Sequence, residues 1–249
     1  LPRALTQVLI KMSGNVNIMT LPEIQNKLVN VRSWLRSYSY KSTTDAQGQS
    51  QLLLSVEFDK KALQELLQRA NQNLWSENRP MSLILLTVVN GQNDPYVMSA
   101  NDNNVINHSI TQDMQNSGLP YILPEMDLTD QNIIGDVGQP LSIQQIRQLT
   151  QRYGVTSILI GTVTADIGQK WNGQWLFMLN NEPMQWSNNA DGVPLLMSST
   201  INQMTSLMSN QLVQDTTSAA KQTLKIAVAN VSDLNVYARI NELLEKLTG

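Results

Sequence analysis

The chain contains no cysteine and a single histidine, His108, among its 249 residues. Without cysteine there is no disulfide, no thiolate nucleophile and no cysteine-ligated zinc site. No Gly-x-Ser-x-Gly turn accompanies His108, so the sequence gives no support for a serine hydrolase. A cysteine-free chain fits either the cytosol or an oxidising compartment in which stray disulfides are avoided. Because the first residue is Leu1, we also expect that a leader segment has been removed.

Charge is scarce as well. Only 15% of the residues are charged and the net charge is -3, so no strong field attracts nucleic acid or an anionic membrane. No apolar run reaches the roughly 18 residues that a membrane-spanning helix requires. Asn and Gln are frequent, but they alternate with regular apolar positions, which indicates the solvent faces of folded elements rather than disorder. We expect a folded chain without a transmembrane segment or a nucleic-acid partner.

The fold class follows from the order of apolar patterns. Leu83–Val89 is a continuous apolar run, typical of a strand that is buried on both faces. A helical pattern ends at Gly154, and a buried strand over Ser157–Thr164 and a hairpin partner over Trp175–Leu179 follow it. The pattern predicts an α/β fold: a mixed β-sheet covered by helices, with an N-terminal α+β subdomain and a C-terminal βα unit.

The N-terminal part shows helical and strand patterns in turn. Leu5–Met12 has one apolar face and Gly14 follows as a stop signal, while Thr20 and Glu23 have the spacing of a capping box for a second helix. Alternation over Leu52–Phe58 predicts a half-buried strand. The predicted domains are residues 1–78 (N-terminal α+β subdomain), 79–215 (α/β sheet domain with a tryptophan hairpin) and 223–249 (start of a C-terminal βα unit).

The residues that could take part in catalysis or bind a metal lack the partners that such chemistry needs. His108 lies in a helical pattern without a second metal-ligating residue at i+3 or i+4. The spacing of an acidic loop matches no calcium-binding loop, and we interpret Asp130 as a turn or helix cap. Gly161 follows a strand without a phosphate-binding motif, which favours close backbone packing. We predict no catalytic, cofactor-binding or metal-binding residues. The acidic loop contains Glu125, Asp127, Asp130 and Asp136.

Tryptophan supplies the partner-binding hypothesis. Trp171, Trp175 and Trp186 lie on or beside the predicted hairpin, where aromatic side chains can anchor a partner protein or a glycan. The alternative is that they cap the core of the sheet. A stripe of methionines from Met197 to Met208 has the same two interpretations, a helical core face or an adaptable docking face.

Several short landmarks occur in order along the chain. They are Ala4-Leu-x-x-Val-Leu9, Ser13-Gly-Asn15, Val56-Glu-Phe-Asp59, Ala62-Leu-x-x-Leu-Leu67, Trp75 with Arg79-Pro80, Leu119-Pro-x-x-Leu-Pro124 with Asp127-Leu128, Tyr153-Gly154, Leu159-x-Gly161 and Trp171-x-x-x-Trp175. Over roughly residues 3 to 190, this ordered set resembles the bacterial domain-of-unknown-function family 2066. The resemblance implies an exported Gram-negative envelope protein with no assigned enzymatic residues. Residues 81–186 are also similar, more loosely, to the α/β module of curli-secretion and penicillin-binding-protein-activator lipoproteins and to the amino-terminal domain of TolB.

These expectations combine into one functional prediction. We expect a non-enzymatic periplasmic protein, associated with the outer membrane, that binds other envelope proteins in a hetero-oligomeric assembly such as the outer-membrane core complex of a secretion system. Two alternatives stay open. One is a hydrolase of cell-wall material centred on the acidic loop, and the other is a periplasmic activator of a cell-wall synthase.

Overall fold

The computed structural model describes residues 1–44, 50–75, 78–91, 94–165, 170–218 and 239. Eight strands are present in these ranges: β1 (Leu35–Thr44), β2 (Ser50–Phe58), β3 (Ser82–Val89), β4 (Tyr96–Val97), β5 (Tyr121–Ile122), β6 (Ser157–Ala165), β7 (Trp171–Leu179) and β8 (Glu182–Ala190). The α-helices are α1 (Pro2–Ser13), α2 (Pro22–Gln25), α3 (Lys60–Arg69), α4 (Val105–Ser117), α5 (Leu128–Ile134), α6 (Ile143–Tyr153) and α7 (Val193–Ser218). Short 3₁₀ turns occupy Ile18–Thr20 and Leu28–Trp34.

A mixed six-stranded sheet forms the centre of the fold. Its strand order is β4-β3-β6-β7-β8, and β5 also pairs with β3. β3 and β6 run parallel in full register, while β6, β7 and β8 are antiparallel. The predicted strands at Leu83–Val89 and Ser157–Thr164 are therefore neighbours, and the predicted mixed α/β fold class is confirmed.

Helices pack on both faces of this sheet. On one face, Ile146 and Leu149 of α6 form a buried cluster with Leu83 and Ile158 of the sheet. On the other face, the Asn188 side chain of β8 donates a hydrogen bond to Thr200 Oγ1 of α7 at 3.0 Å. The methionine stripe of α7 is core, because Met197, Met204 and Met208 are all buried.

Local helix signals place several boundaries as expected. Gly14, Gly118 and Gly154 each adopt the left-handed conformation that ends a helix. Ser142 and Gln145 form a capping box at the start of α6. These termination and capping contacts are local in sequence, which is why the pattern alone finds them.

Two local predictions are wrong. The capping box at Thr20 and Glu23 does not form, because Pro22 takes the first helical position and moves the cap to Leu21. The resulting helix, α2, is only one turn long. The edge strand β8 was not predicted, although Asn180 and Asn181, both with positive φ, make the tight turn that joins it to β7.

The N-terminal elements have their own core and join the sheet region at a few contacts. Leu5, Leu9 and Leu63 are fully buried among neighbouring apolar side chains. The Arg79 guanidinium donates hydrogen bonds to the carbonyls of Lys11, at the end of α1, and Gly118, at the end of α4. It also lies 4.2 Å from the centre of the Trp75 ring. One cation thus holds two helix C-termini, where carbonyls without intrahelical partners attract positive charge.

Leu1–Ser209 forms one compact unit and Asn210–Gly249 a second. The predicted division between residues 1–78 and 79–215 stays a prediction. The predicted C-terminal βα unit at 223–249 lies outside the described residues, apart from Arg239.

Candidate functional site

The tryptophan hairpin is built around Trp175, whose indole covers two glycines. A Cβ at Gly161 would lie 2.2 Å from the Trp175 ring, and one at Gly173 would lie 2.5 Å from its Nε1. The indole N–H donates a 2.7 Å hydrogen bond to Asn188 Oδ1. Trp175 is only 4% exposed, so its side chain belongs to the core face of the sheet.

Trp186 pairs with Trp175 across β7 and β8 and stacks on it, with ring centroids 6.4 Å apart. Its indole Nε1 is enclosed and has no hydrogen-bond partner in the described part of the chain. Trp171 pairs with Ala190 and, like Trp186, keeps part of its side chain exposed. The structure brings Trp175 and Trp186 together. The hypothesis that the three tryptophans bind a partner stays a prediction. The tip of the hairpin is predicted at Gly168–Gly173, and its residues 168 and 169 lie outside the described ranges.

The acidic loop has a structural role that the sequence located only in part. Asp127, not Asp130, is the N-cap of α5, and it accepts hydrogen bonds from the backbone N–H groups of Thr129 and Asp130. Asp130 is fully buried, and its carboxylate lies 2.9 Å from the Nε of Arg152. The Tyr153 hydroxyl donates a 2.6 Å hydrogen bond to the same carboxylate. Glu125 and Asp136 of the loop are exposed.

The electrostatics of this cluster favour the charged form of Asp127. The backbone N–H of Asp130 and the side chain of Arg152 lower the pKa of Asp127 below its usual value. Burial, and then the hydrogen bond to Asp130, raise the pKa of the Tyr153 hydroxyl. A general acid would need a carboxyl with a raised pKa, and Asp127 is shifted in the opposite direction.

His108 is exposed on α4, and its neighbour Ser109 donates its hydroxyl hydrogen to the Val105 carbonyl of the same helix. Within the described ranges, no three His, Asp or Glu residues cluster as metal ligands would. In the same ranges, no helix combines the length and apolar character needed to cross a membrane.

A cavity of about 450 Å³ lies between α6 and the end of the sheet where β6 begins and β7 ends. Its floor includes Ile146, Ile158 and Met178, and Arg147 and Asn180 lie among its polar lining residues. The cavity lining therefore combines apolar and polar side chains.

The β1–β2 ribbon, an isolated two-stranded sheet, has an uncovered apolar face. Tyr38, Tyr40, Leu52 and Leu54 are 60%, 61%, 69% and 44% exposed. The prediction of a half-buried strand at Leu52–Phe58 is wrong for its first half, and only Phe58 is buried. Alternation identifies the strand and its apolar face, but it cannot say whether the same chain covers that face.

Three solved structures are similar to parts of the chain. The LpoB C-terminal domain from Salmonella enterica is 10% identical, with 45% of this chain and 80% of that chain covered and a TM-score of 0.28. A PelC dodecamer from Paraburkholderia phytofirmans is 8% identical, with coverages of 54% and 90% and a TM-score of 0.30. A second crystal form of PelC gives 6% identity, coverages of 70% and 98%, and a TM-score of 0.29. Likenesses this loose carry no argument about function.

No curated protein matches the chain. The family model described as Domain of unknown function (DUF8605) matches residues 1–76, which contain α1 to α3 and the β1–β2 ribbon. The resemblance to family 2066 is therefore wrong. Its landmarks are short apolar, Gly and Pro patterns that helix ends and strands of many α/β chains share. Over residues 1–76 the chain is similar to DUF8605 instead.

Proposed function

We propose that this chain is a non-enzymatic interaction subunit of a multiprotein assembly in the bacterial cell envelope. The observation that carries the proposal is the uncovered apolar face of the β1–β2 ribbon. Two-stranded ribbons are marginally stable alone in water, and contiguous apolar patches larger than a few hundred Å² mark interaction sites. A ribbon of this length is stabilised when a partner covers its apolar face.

Three of the polar residues that an enzyme could use are committed to structural contacts. Asp127 caps α5, and Asp130 is buried against Arg152 and Tyr153. Ser109 is bonded within its own helix, so it is not oriented towards His108 as a nucleophile. These contacts favour the interaction function over a cell-wall hydrolase centred on the acidic loop.

The compartment is proposed from composition. A chain without cysteine cannot form stray disulfides in an oxidising compartment, which suits the periplasm. An outer-membrane-associated complex of a secretion system is the most specific assembly we propose, and its other subunits would be the partners.

The test replaces a leucine on each face of the ribbon in the full-length protein in its native host. Leu52→Glu puts a carboxylate on the apolar face, and Leu53→Glu puts the same carboxylate on the opposite face of the same strand. We expect Leu52→Glu to abolish function and co-elution with envelope proteins, and Leu53→Glu to retain both. His108→Ala and Glu125→Ala should also retain function. Loss of function in a stably expressed His108→Ala or Glu125→Ala protein would favour the enzyme instead.

A further inference from the structure

The apolar face of the ribbon is exposed and contains no charged residue. We infer that two copies of this chain pack their β1–β2 ribbons face to face about a two-fold axis. This inference rests on the proposed interaction function and specifies its first partner. We call the surface formed by Tyr38, Tyr40, Leu52, Leu54 and Val56 the ribbon stripe.

Register places the ribbon stripe on one face. Tyr38 lies opposite Val56, and Tyr40 lies opposite Leu54. The Tyr38 and Tyr40 rings are in edge contact, 6.1 Å apart. The other face alternates with this one and is mostly polar: its cross-strand pairs are Ser37 with Glu57, Ser39 with Ser55, Lys41 with Leu53 and Thr43 with Gln51. The ribbon is therefore amphipathic, with one face suited to burial.

Charge favours a second copy over a strongly charged partner. The ribbon stripe contains no charged residue, so two copies meet without repulsion between like charges. The charges of residues 35–58 are Arg36, Lys41, Asp45 and Glu57, which cancel. Arg36 and Glu57 lie 3.3 Å apart and pair with each other. A neutral segment has no attraction for an anionic lipid surface, whereas low net charge promotes self-association.

The area reaches the lower limit for a specific contact. At their observed exposures, the four large side chains of the ribbon stripe present about 500 Å². Two copies would bury about 1,000 Å² together, which reaches the size at which specific interfaces begin. The residues at the margins of the two ribbons add to this area.

The geometry is that of a small β-sandwich. Two ribbons stacked about 10 Å apart interdigitate the side chains of their inner faces. A two-fold arrangement uses the same patch on both copies and closes the assembly. At the base of each ribbon, Val56 and Leu35 already pack against the N-terminal core. Dimerisation therefore extends an existing core instead of creating an isolated contact.

Sedimentation of the purified full-length protein over a concentration series measures the association. We expect a monomer–dimer equilibrium whose dissociation constant rises by about tenfold or more in Leu52→Glu, because each copy would bury a carboxylate in the apolar interface. Leu53→Glu on the opposite face should change it by less than about twofold. Circular dichroism of both variants checks that the ribbon and the main sheet remain folded.

A second measurement does not depend on a destabilising substitution. Because the natural chain lacks cysteine, Ser42→Cys on the apolar face and Ser39→Cys on the polar face each introduce a unique thiol. A short bismaleimide should link Ser42→Cys protomers into dimers and leave Ser39→Cys protomers unlinked. Equal cross-linking of both variants would contradict the face-to-face arrangement.

Three other outcomes would overturn the inference. The wild-type protein could sediment as a monomer throughout the series, or it could dimerise equally in both glutamate variants. It could instead co-sediment with phosphatidylethanolamine–phosphatidylglycerol vesicles through Leu52. A monomeric protein that still needs Leu52 for function in its host would remove the second copy as partner and leave the proposed interaction function standing.

Discussion

At the scale of single residues, the acidic loop contains one feature that the sequence predicts, a helix cap, and one that it does not, a buried ion pair. The sequence located the loop and its helix-capping role, but it assigned the cap to Asp130. The residue that caps is Asp127, three positions earlier. Asp130 is instead paired with Arg152, which is 22 residues further along the chain. Local spacing can identify a cap, whereas a buried ion pair depends on how α5 and α6 pack.

Substitution of the two aspartates should have unequal effects. Asp130→Asn removes the buried carboxylate that faces the Nε of Arg152 and leaves Arg152 only its more exposed pair with Asp127. We expect this loss to cost about 1–3 kcal/mol of unfolding free energy. Asp127→Asn should cost less, because asparagine also caps helices and residue 127 is near the surface. Urea titrations of the two variants measure the difference. Equal losses would mean that the Asp130 carboxylate is not specifically required.

The stabilising effect of Asp127 should also depend on pH. Because the pKa of Asp127 is lowered in the folded state, its stabilising contribution is full above the pKa of an unfolded aspartate. The contribution is lost as the pH falls through the lower, folded pKa. Unfolding free energies of Asp127→Asn and wild type should therefore converge in acid, and a constant difference across the titration would contradict this assignment.

At Gly161 the sequence predicts close packing but does not identify the neighbour. A glycine within a strand pattern indicates close packing by a neighbour, and the structure places the Trp175 ring there. The register of β6 with β7 sets Gly161 opposite Trp175. The sequence indicates that a neighbouring group packs closely on Gly161, but it does not show that this group is the side chain of Trp175.

At the scale of elements, strand identity was more predictable than strand environment. The continuous apolar run of β3 correctly predicted burial on both faces. The alternation in β2 correctly gave the strand but not its exposure, since a face covered by a partner has the same pattern as one covered by the chain itself. β8 was missed because its inward positions include Asn188, whose amide is paired with Trp175 and Thr200.

The β7–β8 hairpin offers a test of the tryptophan hypothesis. If Trp171 anchors a partner, Trp171→Ala should weaken association by about 2 kcal/mol and leave the melting temperature nearly unchanged, because the side chain is only half-buried. Trp175→Ala is the matched control. Its side chain is 4% exposed, so its loss should cost about 3–5 kcal/mol of stability. Normal association of Trp171→Ala with a lowered melting temperature would make Trp171 a core residue.

At the scale of the whole molecule, composition and periodicity were enough for the fold class, but not for the contacts that join its parts. Gly14 illustrates this. Its role as a helix stop was predictable, yet a Cβ there would lie 2.5 Å from Ser209 and 2.7 Å from Trp75. Those neighbours are far apart in sequence, and no periodic signal connects them.

Arg79 tests whether residues 1–78 and the sheet region fold together. Its fork of N–H groups bonds the carbonyls of Lys11, Ser117 and Gly118. Lysine keeps the charge but cannot reproduce that fork, so Arg79→Lys should lose about 1–3 kcal/mol of unfolding free energy. Arg147→Lys, at an exposed position on α6, is the control and should have little effect.

The shape of the unfolding transition completes this test. Because Gly14, Trp75 and Arg79 connect α1 with α4 and α7, we expect the wild-type fluorescence and circular dichroism transitions in urea to coincide. In Arg79→Lys the two transitions should separate if this residue provides most of the coupling. Separate transitions already in the wild type would mean that residues 1–78 fold as an independent domain and that Arg79 is only a surface contact between two stable parts.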